Sequence, residues 1–528
     1  MEALLFAYAA SAAMPSATIA DIFEDQACRR SMGYGEDVCE ELDDHEEQRY
    51  SVYVVSQRHL LLSEGVLTLT SAVVAILAGP VCDRYGHATL LGLAIVGAAG
   101  TSLVRVFLAL GGGPMLAYVF AVLPMGCSGG HVLMLSCCYY VVTKRTEARL
   151  FRTIRFYLLD VSALMGRAVG WLMGWLLHSV LGHQVSLWSA LGVQCFMLAV
   201  LWASPALRDS TASTTTSKIN QLRLLVSPAN AREAAKMFSG HRNIQRTLKV
   251  LFALQALIAA MNYGPDEILY PYTRLVFGWA YSQYAIVSAI GGLLVGVVGV
   301  FAVGCMRVVG VTDVTFMNVG ATCGSARDLI IGLTHVPALF YLSYLLAVPQ
   351  GVAPVGLKSY FSKLVPVDET GKFMALVTAC ESVFTVFSRV ALSFSFDVAT
   401  AIYVGLPFLL CAALVLPVSL LSGFLNPTPE STSSTTSAPG PGEQLAEGAG
   451  GPGEAAGGTA VAAGAPGLSP ASPGGVVSVE PWRPLAGIVL PAAEQAMRAV
   501  SPTKVAAAML FPAQQRHPIR AAVPAARI

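Results

Sequence analysis

The sequence predicts an all-α membrane protein with about twelve transmembrane helices arranged as two six-helix bundles. Three observations point there. The 528 residues are 55% hydrophobic and only 12% charged, against roughly a quarter charged in soluble proteins. Mean hydropathy is +0.61. Apolar runs of about 20 residues recur, each long enough to cross roughly 30 Å of hydrocarbon as a helix. A backbone in lipid must satisfy its own hydrogen bonds, so every run reads as helical.

In chain order the spans fall near 2–21, 60–81, 89–110, 115–142, 155–178, 185–204, 248–270, 284–306, 314–334, 338–361, 373–396 and 400–424. The first reads as a retained span, because no basic residue precedes it and Glu2 has the wrong sign for a leader. Ala10 and Ala12 resemble a cleavage region, which is the competing reading, and the start at Met1 also fits a shortened N-terminus. The ninth span carries Thr312, Asp313, Asn318, Arg327 and Asp328, polar and charged residues that make its assignment the weakest of the twelve. Residues 1–204 are expected to form the first bundle, with an acidic outer loop at 22–59, and 248–424 the second. Between them lies a basic connector, 205–247, with Arg208, Lys218, Arg223, Arg232, Lys236, Arg242 and Arg246. The loop after span 4 is basic as well, whereas the stretch from Glu24 to Glu47 is acidic. By the positive-inside rule the connector faces the cytosol and the acidic loop faces outside or a lumen. After Asn426 the composition turns to Pro, Gly, Ala and Ser, which predicts a disordered cytosolic tail, 425–528. Its Ser/Thr run at 431–437 offers phosphate acceptors and a place for cytosolic partners.

A net charge of +1 gives no reason to expect a nucleic-acid partner. No Cys/His spacing suggests a metal, and no phosphate loop suggests an ATP-driven pump. Neither an enzyme nor a cofactor is expected. Cys28 and Cys39 are the cysteines clearly on the outer side, and their spacing allows a local disulfide in an oxidising compartment.

Between spans 2 and 3 the chain reads "GPVCDRYGH", residues 79–87. It resembles the loop signature of the major facilitator superfamily, Gly-x-x-x-Asp-Arg-x-Gly-Arg, matched here by Gly79, Asp83, Arg84 and Gly86. Gly79 and Gly86 allow close approach and a tight turn, and Asp83 can cap a helix or pair with a neighbouring base. The resemblance implies the major facilitator fold and a latch between the two halves on the cytosolic side. His87 replaces the final Arg, which weakens that latch or makes it pH-sensitive.

Four further stretches are similar to solute carrier family 46, the proton-coupled folate transporter and thymic stromal cotransporter group, and especially its arthropod members. They are "ACRRSMGYGEDVCEEL" (27–42), "RTIRFYLLDVSALMG" (152–166), "ILYPYTRLVFGWAYSQYAIVS" (268–288) and "KSYFSKLVPVDETGKFMALVTACES" (358–382). The resemblance implies secondary active transport of a small organic anion, folate-like or other, coupled to protons. The competing readings are a proton-independent facilitator or exporter, and a nontransporting receptor or scaffold signalling through the tail. Partners are then a small organic solute, protons and the lipid bilayer, with the plasma membrane preferred to the lysosomal one.

Charges inside spans are costly and usually functional. Asp160 matches an acidic position that the resemblance links to proton coupling; the alternative is a salt bridge with Arg155 or Arg167. Arg167 serves either Asp160 or an anionic substrate. Lys358 stands where the folate carrier has an Arg for coupling or binding; a snorkelling Lys is the alternative. Glu381 is a second candidate for proton coupling, against structural pairing with Arg389. Asp266 and Glu267 follow "NYGP", where Gly264 and Pro265 should break or kink span 7 beside the substrate. Two departures stand out: span 4 reads "CCYYVVTKR" without the folate carrier's Asp, and Gly278 replaces the Cys before the Trp of "FGW". Glycines 166, 170 and 174 in span 5, and 291, 292, 296 and 299 in span 8, predict close helix packing; the superfamily resemblance implies that spans 5 and 8 meet across the halves.

Overall fold

The computed structural model describes residues 1–40, 46–146, 149–204, 225, 227, 232, 242–279, 281–364, 369–399 and 402–425. Most of the connector and all of the chain after Leu425, including the expected tail and its Ser/Thr run, lie outside the described residues.

The described chain is helical, in the order expected. Span 1 is broken into α1a (Glu2–Ala13) and α1b (Ser16–Gln26) around Pro15. Then come α2 (Glu46–Tyr85) and α3 (Ala88–Gly111). Span 4 is built from α4a (Met115–Phe120), α4b (Leu123–Cys127) and α4c (Gly130–Arg145). Helices α5 (Arg149–Leu181) and α6 (His183–Ala203) complete the first bundle. The second holds α7 (Arg242–Phe277), α8 (Tyr281–Val308) and α9 (Asp313–Leu333). It continues with α10a (Pro337–Gln350), α10b (Val352–Leu364) and α11 (Thr370–Ala399), and ends with α12a (Leu406–Ala413) and α12b (Val415–Ser422). Ten helical segments among the described residues are long and apolar enough to span a membrane. Helix α9 and the shorter apolar α12a–α12b pair stand where the other two spans are expected. Helix α9 forms despite its charges because Thr312 caps it, accepting from the Thr315 N–H at 3.3 Å, and because Asp313 and Arg327 find partners in the bundle.

Two local expectations are corrected. Helix α7 runs unbroken through Gly264 and Pro265, with Pro265 and Pro271 both inside it. Gly264 serves packing instead: a Cβ there would lie 2.5 Å from Leu392 Cδ1 of α11. The glycines of span 5 do not face span 8. Gly166, Gly170 and Gly174 lie against the backbone of span 1 at Phe6, Ala10 and Met14, so their row seats α1a within its own bundle. Span 8 does reach α5, but through Gly296 on Met165 and Gly299 on Tyr157.

The end that the positive-inside rule places outside, here the outer end, carries a disulfide between Cys28 and Cys39, with Cα atoms 5.9 Å apart. It ties the π-helical turn Ala27–Met32 to the short helix Glu36–Glu40.

The bundles meet along α2 and α11. At the inner end, Asp83 Oδ1 accepts the Gly371 N–H at 2.7 Å and Oδ2 the Lys372 N–H at 3.0 Å. The carboxylate thus caps the first turn of a helix in the other bundle, where free N–H groups and the helix dipole favour an anion. Gly79 makes the approach possible, since a Cβ there would stand 2.8 Å from Lys372 Cα. Gly86 turns the chain at φ +86°. His87 is buried, its ring 6.4 Å from that of Tyr140. Arg84 is exposed. A second inner seam joins α5 to the other bundle. Thr153 and Ser359 hydroxyls lie 2.7 Å apart, and buried Arg307 donates to Thr153 Oγ1 at 2.7 Å. Arg307 also pairs with Asp313, which takes Lys363 Nζ at 2.7 Å.

Candidate functional site

Between the inner seams and the outer end, five polar side chains from five spans converge. Lys358 on α10b is their hub. Its Nζ lies 3.2 Å from Asp160 Oδ2 on α5 and 3.1 Å from Glu381 Oε2 on α11. It also donates to the Tyr139 hydroxyl on α4c at 2.9 Å. That hydroxyl in turn donates to Asp160 Oδ1. Tyr263 on α7 donates to Glu381 Oε1 at 3.3 Å. One ammonium is therefore shared by two carboxylates, each carboxylate is held by a tyrosine, and the partners come from both bundles.

Local sequence explains the placement. Asp160 follows the basic start of α5, where Arg155 turns away to Glu2 at 3.3 Å and to Thr146. The small residues around Lys358, "VAPVGLKSYFS", bring α10b close to its neighbours; a Cβ on Gly356 would meet the backbone of Asp313 at 2.9 Å. The Lys358 side chain is 2% exposed, so it does not snorkel to the surface. Accessibility rises away from it, to 10% at Glu381 and 26% at Asp160. A buried ammonium is tolerable only when paired and hydrogen-bonded, and this one has both kinds of partner.

Arg167 is seven residues beyond Asp160 on α5, about two turns along the same face. It is exposed, and its charge is within electrostatic reach of Tyr263, Arg389, Glu64 and Asp160. Among the described residues it makes no hydrogen bond or ion pair. The expected alternative of an Asp160 bridge to Arg155 or Arg167 thus gives way to Lys358.

Glu381 does not pair with Arg389. Eight residues of helix separate them by about 12 Å, too far for an ion pair. Arg389 instead reaches across to α2, where its Nη1 lies 2.7 and 2.8 Å from the two Glu64 oxygens. Glu267 and Asp266 belong to this outer group rather than to the Lys358 cluster. Glu267 is near Arg389 and Glu64, and Asp266 lies 3.5 Å from Arg327. Further out, Tyr53 and Tyr270 meet edge to face with ring centroids 5.3 Å apart.

The Major Facilitator Superfamily profile matches residues 5–383, most of the described chain. The chain belongs to the Major Facilitator Superfamily. It is a multi-pass membrane transporter and not an enzyme. A curated relative, a probable peptidoglycan muropeptide transporter SLC46 of Drosophila melanogaster, is 23% identical over 404 residues, 71% of this chain and 74% of that one. That relative agrees with the family 46 resemblance read from the sequence. Solved facilitators share the fold. The human organic anion transporter MFSD10 (TETRAN) superposes with a TM-score of 0.60 at 15% identity, covering 80% of this chain and 98% of that one. The proton:xylose symporter XylE gives 0.54 at 13% identity, with 79% and 92% covered. The E. coli fucose:proton symporter FucP gives 0.55 at 11% identity, with 81% and 98% covered.

Within this facilitator the inner turn makes one of the contacts between the bundles, through Asp83 and Gly79, and the Lys358 cluster sits away from it. Sequence reasoning missed Tyr139 and Tyr263, which as uncharged aromatics blend into apolar runs. It also missed His131 on α4c, which stacks on Tyr8 with centroids 6.4 Å apart and lies within electrostatic reach of Arg167 and Lys358.

Proposed function

We propose that this facilitator is a proton-coupled symporter of a small, carboxylate-bearing organic solute, working by alternating access. The observation that carries the reading is the sharing of Lys358 between Asp160 and Glu381. One positive and two negative charges leave the cluster one charge short of neutral, a deficit that a single proton fills. Protonation of either carboxylate frees Lys358 to hold the other alone. Because Lys358 and Glu381 belong to one bundle and Asp160 to the other, moving that proton changes the attraction between bundles. Arg167 is the anion receptor in this scheme. It is accessible, makes no ion pair among the described residues, and offers a planar fork suited to a carboxylate. Tyr263, half-buried and within electrostatic reach of Arg167, suits a ring-bearing solute.

Folate-like anions and muropeptides both fit this chemistry, the latter suggested by what the Drosophila relative is named for. Carboxylates and rings are common to both. The plasma membrane is the preferred site of action, with an outer loop closed by a disulfide. The test is uptake into proteoliposomes holding the purified chain, with labelled folates and labelled muropeptides, at acid and neutral outside pH. Acid-stimulated accumulation of one class supports the reading. Uptake that ignores the proton gradient would make the chain a facilitator, and accumulation of neither class would remove the substrate assignment.

A further inference from the structure

The turn from α5 to α6 reads "HSVLGH", residues 178–183. Gly182 adopts φ +88°, a conformation that L side chains rarely take, and this reverses the chain within a few residues. The reversal sets the imidazoles of His178 and His183 edge to face, with ring centroids 4.4 Å apart. Helix α1b delivers a carboxylate to the same point, placing Asp21 Oδ2 2.6 Å from His178 Nε2. One ligand atom from each of the three residues lies within 4.8 Å of the others.

We propose that Asp21, His178 and His183 form a binding site for a divalent transition metal of the Zn2+ class at the outer end of the first bundle. The donor set argues for this ion class. Two imidazoles and one carboxylate suit Zn2+, whereas Ca2+ and Mg2+ take oxygen ligands. Three protein ligands leave a fourth tetrahedral position for water. The surroundings argue the same way. Fully buried Thr18, one turn before Asp21, meets His178 Nδ1 at 3.3 Å. A partner on one ring nitrogen orients the imidazole and leaves the other for the metal. Bonds of about 2.0–2.2 Å to a central ion require the ligand atoms to draw in slightly. His183 and Asp21 are exposed and free to rotate that far, while His178 is half-buried and held. A plain His178–Asp21 ion pair would explain two of the residues but not the second imidazole against them. The site is separate from the Lys358 cluster: His178 is 18 residues past Asp160 on α5, about 27 Å. Metal there would staple span 1 to the α5–α6 turn.

The experiment uses the purified full chain, free of any polyhistidine tag, in detergent. Zn2+ binding is measured calorimetrically, and Co2+ is used as a coloured substitute. The wild-type chain should bind one Zn2+ and give the intense ligand-field absorption of four-coordinate Co2+, a readout that needs no variant. His178→Gln and His183→Gln should each weaken Zn2+ binding about tenfold or more, with an unchanged size-exclusion profile. His335→Gln, at an exposed histidine elsewhere, should bind as the wild type does. A wild-type chain that takes up no Zn2+, or Gln variants that bind it undiminished, would overturn the site.

Discussion

Lys358 Nζ lies 3.2 Å from Asp160 Oδ2, so a buried cation of the second bundle is tied to a carboxylate of the first. Along the bundle interface this pair stands between two others. Asp83 binds the start of α11 at the inner end, and Glu64 binds Arg389 at the outer end. The Lys358 contact differs in being shared with a second carboxylate, Glu381, and in having a cation that is almost wholly out of water. A contact that is strong in a dry site and cancelled by one proton can act as a switch; an exposed pair, worth little in water, cannot.

Removing the cation should therefore be costly. Lys358→Met leaves two carboxylates facing each other without a counter-charge, and breaking a buried pair in this way costs about 3–5 kcal/mol. The expected result is a lowered melting temperature in detergent and no net uptake. Lys358→Met combined with Glu381→Gln should recover stability but not transport. A stable, fully active Lys358→Met chain would leave the cluster without a role.

The inner contact predicts a change of conformation rather than of fold. Asp83→Ala deletes the acceptor for two N–H groups, and Gly79→Val drives a side chain into Lys372. Both should open the inner end while surface expression stays near wild type. Cys82, buried beside this seam, reports on it. Its labelling by a permeant maleimide should rise in both variants as turnover slows. Unchanged labelling together with unchanged uptake would take Asp83 out of the mechanism.

At the outer end the charge pair can be tested by exchange. Arg389→Glu places an acid opposite Glu64, near Asp266 and Glu267, and should hold that end open. Uptake should fall about tenfold or more, a loss equivalent to about 1.4 kcal/mol. Adding Glu64→Arg restores an opposite-charge pair and should recover much of the activity. Failure of the double variant to improve on the single one would show that the two residues act separately.

The spans were readable because hydropathy alone decides them, and even charged α9 was found in its expected place. The breaks were not. Gly264 and Pro265 look like a break but lie inside a helix, because Gly264 fits its neighbour Leu392 and a packed helix tolerates one missing hydrogen bond. Real interruptions fall at Pro15, between Phe120 and Leu123, at Gly129 with positive φ, at Gly351 and at Leu414. Asp160, Lys358 and Glu381 each stood out as charges in apolar runs. That Lys358 serves both carboxylates could not be read from spacing, because the three sit on different helices and only the fold sets their distances. The Glu64–Arg389 pair was hidden for the same reason, its two residues lying 325 positions apart.

The disulfide closes a short outer loop, and a cross-link of this span is worth about 3 kcal/mol where the reduced chain is free. Neither Cys28 nor Cys39 should react with an impermeant maleimide until reductant is added. Ready labelling of both without reductant would mean that the bond does not form in the membrane protein.

The proton is the last test, and its logic follows from the cluster's charge. With Asp160 ionised, Lys358 is claimed by two acids in two bundles. With Asp160 protonated, Lys358 keeps Glu381 alone and the cross-bundle attraction weakens. Asp160→Asn mimics the second state permanently, and its amide can still accept the Tyr139 hydroxyl. A carrier locked in the loaded form can exchange substrate, because exchange needs no return of the empty carrier. It cannot concentrate substrate, because it never releases the proton. Net acid-driven accumulation should collapse in Asp160→Asn while exchange of labelled for unlabelled solute survives. Asp160→Glu should keep part of the coupling, since it retains the titrating group with one methylene of misplacement. The role would be falsified by an Asn variant that, at matched surface expression, accumulates solute as the wild type does. Loss of exchange as well would point to an ion pair needed only for structure.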